Sequence, residues 1–223
     1  MNKRFIRKLL AEFVGTCFLV MIVVGSGIMA ENLSSDQMSI LLANTIATGA
    51  GLTALIWIFI SISGAHFNPA VSLTMFLRKE LALNEFFGFT CVQFVGGFFG
   101  AILANIMFDL DPLQISANER SGFNTYFSEL IATFGLIMTI LGVRKLSTLA
   151  IAPAVGLYIS AGYWFTSSTS FANPAVTFAR GFSDTFTGIH PEFILPFIIF
   201  QIIGACLAIF FMSLIQNDEA DYN

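Results

Sequence analysis

The tetrapeptide Asn-Pro-Ala-Val occurs twice in the chain, at residues 68–71 within SGAHFNPAV and at residues 173–176 within STSFANPAV. Asn is a favoured N-cap, and Pro at the first helical position loses nothing by lacking an amide hydrogen. Each copy therefore predicts the start of a helix, over residues 69–79 and over residues 174–185. A helix over 69–79 would be roughly 16 Å long, about half of the hydrocarbon core of a bilayer. Both segments are predicted half-helices that enter a membrane without crossing it.

The composition indicates that these half-helices have apolar surroundings. Hydrophobic residues make up 56% of the chain, charged residues 11%, and the mean hydropathy is +0.81. A soluble protein of this length cannot bury so much apolar surface, and apolar runs of about 20 residues recur along the chain. We predict an all-α membrane protein with a single transmembrane domain over residues 1–223. Its six spanning helices are predicted over residues 8–30, 37–60, 84–108, 124–143, 148–166 and 191–215.

Internal repetition extends beyond the two tetrapeptides. Glu12 in the first span and Glu129 in the fourth have similar neighbours, and Gln93 in the third span corresponds to Gln201 in the sixth. The pattern indicates a tandem duplication, with one repeat over residues 1–112 and the other over residues 123–223. Because each repeat has three spans, the second is inverted relative to the first. The two half-helices are therefore predicted to meet N-terminus to N-terminus at the bilayer midplane.

The loops before the two tetrapeptides would place non-helical backbone at membrane depth, which is tolerated where it lines water or is buried in protein. Their carbonyl groups offer acceptors to a file of solutes, and Asn68 and Asn173 offer side-chain donors at the centre. The positive ends of both helix dipoles, about half a charge each, converge there. These features predict a path for neutral hydrogen-bonding solutes and a barrier to cations and protons.

The motifs Asn68-Pro69-Ala70 and Asn173-Pro174-Ala175, together with the repeated glutamates and glutamines, resemble the aquaporin or major intrinsic protein family over almost the whole chain. The resemblance implies a channel in the lipid bilayer for water and small neutral solutes, assembled as a homotetramer with one pore per subunit. It also implies that Glu12 and Glu129 are buried acceptors that brace the two loops. We expect Gln93 and Gln201 to form interhelical hydrogen bonds. For His66 we expect a hydrogen bond that braces the first loop, with pH gating as the alternative.

The position after the second motif departs from the family. Typical members have an arginine there, as part of a narrow outer constriction, whereas this chain has Val176. By the same resemblance the other filter residues are Thr48, Tyr163 and Ser170, with Trp164 as an alternative to Tyr163. Arg180 lies four residues beyond Val176. We expect it to reach lipid headgroups or an acidic loop rather than to replace the missing cation.

Valine in place of an arginine removes five donors and a positive charge, which predicts a wider filter that passes glycerol-like polyols. Residues 163–180 also resemble a bacterial branch of the family associated with arsenic-resistance genes. That resemblance implies neutral arsenic acids or other metalloid acids as further solutes. Two alternatives stay open: a water-selective channel, and a proton-coupled secondary transporter with Glu12 or Glu129 as its proton site.

The charged residues predict orientation and exclude some partners. Eight of the ten Lys and Arg residues fall on one side of the six-span arrangement, which predicts cytoplasmic termini and an inner or plasma membrane location. The net charge of −4 gives no case for nucleic acid binding. The cysteines and histidines lack metal-ligand spacing, and no nucleophile has an evident base. We therefore expect no metal, no other cofactor and no enzymatic activity.

Overall fold

The computed structural model describes residues 3–216, and this part of the chain consists of helices and loops, without a β-strand. In the described part of the chain, three short 3₁₀ segments adjoin the α-helices, at Thr148–Ala150, Arg180–Phe182 and Pro191–Phe193. The α-helices of the described residues, in chain order, are α1 (Lys3–Leu33), α2 (Gln37–Phe59), α3 (Pro69–Leu77), α4 (Leu83–Met107), α5 (Phe123–Val143), α6 (Ile151–Phe165), α7 (Pro174–Ala179) and α8 (Ile194–Gln216).

Within residues 3–216, six helical segments are long and apolar enough to cross a membrane, and they correspond to α1, α2, α4, α5, α6 and α8. The predicted all-α fold with six spans is therefore confirmed. The largest difference in the boundaries is at the first span, where α1 begins at Lys3 rather than at residue 8. The helix thus includes Lys3, Arg4 and Arg7, which lie before the predicted start of the span. The remaining helices, α3 and α7, are too short to cross.

Both half-helices are shorter than predicted. The helix α3 ends at Leu77, and Lys79 adopts a left-handed backbone with a φ of 62°. The prediction of a helix over residues 174–185 is wrong, because α7 ends at Ala179 and continues only as the 3₁₀ turn to Phe182. The carbonyl groups of Arg180 and Gly181 accept hydrogen bonds from the backbone N–H groups of Ile189 and Ser116. They are therefore engaged by other loops instead of continuing the helix.

The two halves of the molecule pack in the same way. The helix α1 packs against α4, and α5 packs against α8. A Cβ added at Gly96 would lie 2.5 Å from the carbonyl oxygen of Phe13, and one at Gly204 would overlap the carbonyl oxygen of Leu130. Glycine at these two positions lets the backbones approach directly beside the repeated glutamates, as in other close helix crossings in membranes.

The halves join through contacts between α2 and α6 and through the two half-helices. The helix α3 packs against α8, and α7 packs against α4, so each half-helix also contacts the last helix of the other half. The outward surface carries large exposed apolar side chains such as Leu157, Phe210 and Leu195, as expected for a surface that faces lipid or another subunit. The polar loops are enclosed between the helices.

Candidate functional site

A cavity of about 550 Å³ runs between the two halves of the molecule. Arg144, Lys145 and Thr148 line one end, which we call the inner end, and Arg180 lines the other, which we call the outer end. Asn68 and Asn173 also line it, together with many aliphatic side chains. The aliphatic residues are Leu19, Val23, Leu52, Ile56, Ile60, Val71, Leu136, Ile140, Ile151, Val155, Ile159 and Val176.

The two asparagines start the half-helices and hold the loops to each other. The Oδ1 atom of Asn68 accepts a hydrogen bond from the backbone N–H of Ala70 at 2.9 Å, and that of Asn173 accepts one from Ala175 at 3.0 Å. Asn68 Nδ2 donates to the carbonyl of Ala172 at 2.7 Å, and Asn173 Nδ2 donates to the carbonyl of Phe67 at 2.8 Å. Each amide nitrogen has two hydrogens, so one N–H of each asparagine is left for a solute.

The loop backbones share an unusual conformation at matching positions. Non-glycine residues rarely adopt positive φ values, and such a backbone persists only where surrounding contacts hold it. Equivalent positions in the two loops are 105 residues apart in the chain. The residues with positive φ are Gly64, Ala65 and Phe67 in the first loop and Thr169, Ser170 and Ala172 in the second.

Glu12 holds the first loop from within the membrane. Its Oε1 accepts hydrogen bonds from Ser63 Oγ at 2.6 Å and from the backbone N–H of His66 at 3.0 Å. Its Oε2 accepts from the backbone N–H of Phe67 at 2.7 Å and from Gln93 Nε2 at 2.8 Å. The carboxyl group is fully buried. Four donors therefore converge on the Glu12 carboxylate, and an apolar side chain of similar size would leave them without an acceptor.

Glu129 holds the second loop by the same pattern. Its two oxygens accept from the backbone N–H groups of Phe171 at 2.9 Å and Ala172 at 2.8 Å. Gln201 Nε2 donates to it at 2.6 Å and also donates to Thr177 Oγ1 at 2.8 Å. The glutamines thus lie between the glutamates and the half-helices, where interhelical hydrogen bonds were expected.

His66 contacts the start of the first half-helix. Its Nδ1 lies 3.1 Å from Ser72 Oγ, which also accepts a hydrogen bond from Gln93 Nε2 at 3.0 Å. The imidazole packs edge-on against the ring of Phe89, with 5.3 Å between the ring centroids. The side chain is thereby tied to both α3 and α4, and it also lines the cavity.

The four expected filter residues all line the cavity. Thr48 Oγ1 lies 3.2 Å from the Tyr163 hydroxyl, which links α2 to α6. The alternative in which Trp164 enters the lumen is wrong, because 47% of its surface is exposed on the outside of the molecule. Ser170 lies against Gly162, where an added Cβ would be 2.5 Å from Ser170 Oγ. A glycine at residue 162 is therefore required for the loop to approach α6.

The expectation that Arg180 reaches headgroups or an acidic loop is wrong. Only 2% of Arg180 is exposed, and its Cζ lies 3.4 Å from the centroid of the Phe171 ring. Its Nε donates a hydrogen bond to the carbonyl of Thr187. Helical side chains point back toward the N-terminus of their helix. The guanidinium therefore lies nearer the centre of the molecule than the position of its own Cα suggests.

Arg120 approaches the same ring from the loop before α5. Its Cζ is 5.0 Å from the centroid of Phe171, and it donates to the carbonyls of Gly188 at 2.7 Å and Phe186 at 3.0 Å. Burial lowers the pKa of Arg120 to about 10, so the group is still protonated at neutral pH. Neither Arg120 nor Arg180 forms an ion pair with a described residue.

The inner end has a different arrangement of charge. Glu80 follows α3 and accepts hydrogen bonds from Arg144 Nη1 at 2.6 Å and Nη2 at 2.9 Å, and from Arg78 Nε at 3.0 Å. The hydrogen bonds from Arg144 hold the pKa of Glu80 below its usual value. Positive charge at this end is thus balanced by a carboxylate, whereas at the outer end no such pair is found among residues 3–216.

Comparison with known proteins places the chain among membrane channels. A family model described as major intrinsic protein matches residues 1–148. The aquaglyceroporin AqpS of Rhizobium meliloti is 48% identical over 92% of this chain and 88% of its own length. Aquaporin C of Dictyostelium discoideum is 32% identical over 81% of this chain and 71% of its own. The X-ray structure of the aquaglyceroporin from Plasmodium falciparum covers 94% of this chain and 96% of its own at 23% identity, with a TM-score of 0.75. This last likeness supports the fold.

Proposed function

The chain belongs to the major intrinsic protein family and is a membrane channel for water and small neutral solutes such as glycerol, and we propose that its filter is widened at Val176 to pass polyol-sized solutes. The observation that carries the proposal is the position of this valine. Its side chain lines the cavity with 5% of its surface exposed, and it has no polar atom. An arginine at the same site would fill the lumen and compete for the hydrogen bonds of a solute.

The filter offers polar and apolar surfaces to a solute at the same time. The hydroxyls of Thr48 and Tyr163 can donate to or accept from the hydroxyls of a polyol, and Val176 can contact its carbon atoms. Such an arrangement suits glycerol better than water, which has no apolar surface to bury. A water-selective channel is therefore the weaker alternative.

The two asparagines at the centre of the lumen oppose cations and are not titratable themselves. Asn68 and Asn173 each keep an amide N–H for the solute, and the N-terminal ends of α3 and α7 meet beside them. Glu12 and Glu129 are each surrounded by three or more hydrogen-bond donors. Their hydrogen bonds favour a scaffold role over the proton relay that a coupled transporter would need.

Neutral metalloid acids are a further proposed solute class. Arsenous acid is uncharged at neutral pH and carries three hydroxyls, as glycerol does. The same hydroxyl pair and the same wide position at Val176 would accommodate it. The sequence of the outer loop and α7, residues 163–180, supports this class through its resemblance to channels associated with arsenic resistance.

Proteoliposome swelling tests the proposal. Stopped-flow rates with water, glycerol, urea and arsenous acid should exceed those of protein-free vesicles, and uptake should equilibrate without accumulation. Equal uptake with and without a protonophore is expected of a channel. Folded protein that conducts neither water nor glycerol would contradict the proposal, and accumulation driven by a proton gradient would favour the transporter.

The assembly and orientation are also proposed. We infer a homotetramer with one lumen per subunit, because the apolar outer surface can face other copies as well as lipid. The basic residues Lys8, Arg78 and Arg144 meet Glu85 and Glu80 in ion pairs. Excess positive charge at that end favours the cytoplasm, which would place both termini there in an inner or plasma membrane. Native mass spectrometry and accessibility of single cysteines to impermeant reagents test these two points.

A further inference from the structure

We propose that Arg180 is a specificity-determining residue of the lumen, which supplies positive charge and hydrogen-bond donors at the outer filter while Val176 supplies width. The inference rests on the proposed channel function and deepens it. An arginine at residue 176 would set both the charge and the width of the filter. In this chain Arg180 sets the charge and Val176 sets the width. The lumen can then be wide and still exclude cations.

The guanidinium of Arg180 reaches the filter from a backbone position beyond it. Arg180 is the first residue of the 3₁₀ turn after α7, and its side chain extends back onto the Phe171 ring, with Cζ 3.4 Å from the centroid. Phe171 directly follows Ser170, and both line the same cavity as Arg180 and Tyr163. The charged group therefore lies at the level of the filter, although its backbone lies beyond it.

The charge of Arg180 has no carboxylate partner among the described residues. Only 2% of the Arg180 surface is exposed, and no carboxylate of residues 3–216 forms an ion pair with it. Only Nε has a hydrogen-bond acceptor in the described part of the protein, the carbonyl of Thr187. A buried guanidinium with free terminal nitrogens is strongly unfavourable unless water or a solute accepts their hydrogen bonds. The lumen is the place where such acceptors pass.

The residues around Arg180 hold its charge in place without neutralising it. The face of the Phe171 ring attracts a cation, and the Thr187 carbonyl fixes the direction of the guanidinium. Arg120 adds a second positive charge near the same ring and is itself held by the Gly188 and Phe186 carbonyls. The outer end thus has two fixed positive charges, which oppose cations and orient the acceptor oxygens of neutral solutes.

The test compares Arg180→Ala with the full-length wild-type chain and with Arg78→Ala in proteoliposomes. Arg78 carries the same charge but lies in an ion pair at the inner surface, outside the cavity lining. We expect Arg180→Ala to raise proton and potassium flux at least about tenfold, since it removes a poorly screened charge from the path. The Arg78 variant should match the wild type.

Arg180→Lys provides a second test in case the alanine variant does not fold. Lysine keeps the charge but loses the planar fork, so cation exclusion should persist while the ratio of glycerol to water permeability changes at least about threefold. The inference is overturned if the alanine variant conducts solutes, stays closed to cations and keeps the wild-type ratio. It is also overturned if the lysine variant keeps that ratio. Absence of glycerol flux in the wild type would instead overturn the proposed function.

Discussion

The two half-helices of this channel begin alike and end differently. Both start at an asparagine that caps its own helix and donates to the opposite loop, and each preceding loop is bound by one buried glutamate. Shortly after the first half-helix Glu80 lies in exposed ion pairs, whereas directly after the second Arg180 is buried and forms no ion pair with a described residue. The repeated glutamates and asparagines thus hold the two loops, whereas Arg180, which we propose contributes to selectivity, has no charged counterpart in the first half-helix.

The largest expected effect comes from removing the glutamates. Glu12→Leu would leave four donors unsatisfied and Glu129→Leu three, at roughly 1–3 kcal/mol for each buried group. We expect both variants to unfold at much lower temperature in detergent than the wild type. Glutamine at either position keeps one acceptor oxygen and should lower the unfolding temperature less than leucine does. Leucine variants with wild-type unfolding temperatures would contradict the scaffold role.

A smaller effect is expected when the first loop is made to resemble the second. Phe171 occupies the position that corresponds to His66, so His66→Phe tests whether the imidazole is needed for conduction. The variant loses the contact with Ser72 Oγ, for a destabilisation of roughly 1 kcal/mol, and should still conduct water. Swelling rates of the wild type and the variant between pH 5 and pH 8 show whether the imidazole affects conduction. A pH-dependent rate in the wild type alone would establish gating by His66.

The smallest effect concerns the inner ion pairs. Because the pKa of Glu80 is lower in the folded protein, its contribution to stability is present above the unfolded pKa and is lost as the pH falls through the folded value. Its side chain is 38% exposed, so solvent screening limits the contribution to about 1 kcal/mol or less. Glu80→Gln should be slightly less stable than the wild type at pH 7, and the difference should disappear once the pH lies below the folded pKa of Glu80. Thermal unfolding across this range measures the difference, and a constant difference would refute the assignment.

The sequence predicted those parts of the molecule that repeat or depend on composition. Six apolar runs were enough for the spans, and the duplicated glutamates and glutamines were placed beside the loops that they contact. The left-handed loop backbone could not be predicted, because among its six positions only Gly64 is a glycine. Those conformations depend on Glu12 and Glu129, which are distant in the chain.

The errors at the second half-helix have two physical causes. Its end depends on hydrogen bonds from Ser116 and Ile189 to carbonyls of the 3₁₀ turn, contacts that no local pattern encodes. Arg180 was misplaced because helical rise locates a Cα, whereas a long side chain reaches back over the preceding turn. An arginine in an otherwise uncharged half-helix was the signal for a buried charge. No sequence pattern indicated that Phe171 and Arg120 surround it.

The most direct test of the account is the ratio of glycerol to water permeability in Val176→Arg, with Val71→Arg as its matched partner. Both valines follow an Asn-Pro-Ala motif, and both line the cavity with 5% of their surface exposed. We predict that Val176→Arg conducts water but lowers the ratio at least about tenfold, a barrier increase of about 1.4 kcal/mol for glycerol. Val71→Arg, away from the Thr48–Tyr163 pair, should change the ratio far less. A wild-type ratio in Val176→Arg, or an equal loss in both variants, would contradict the assignment of the filter.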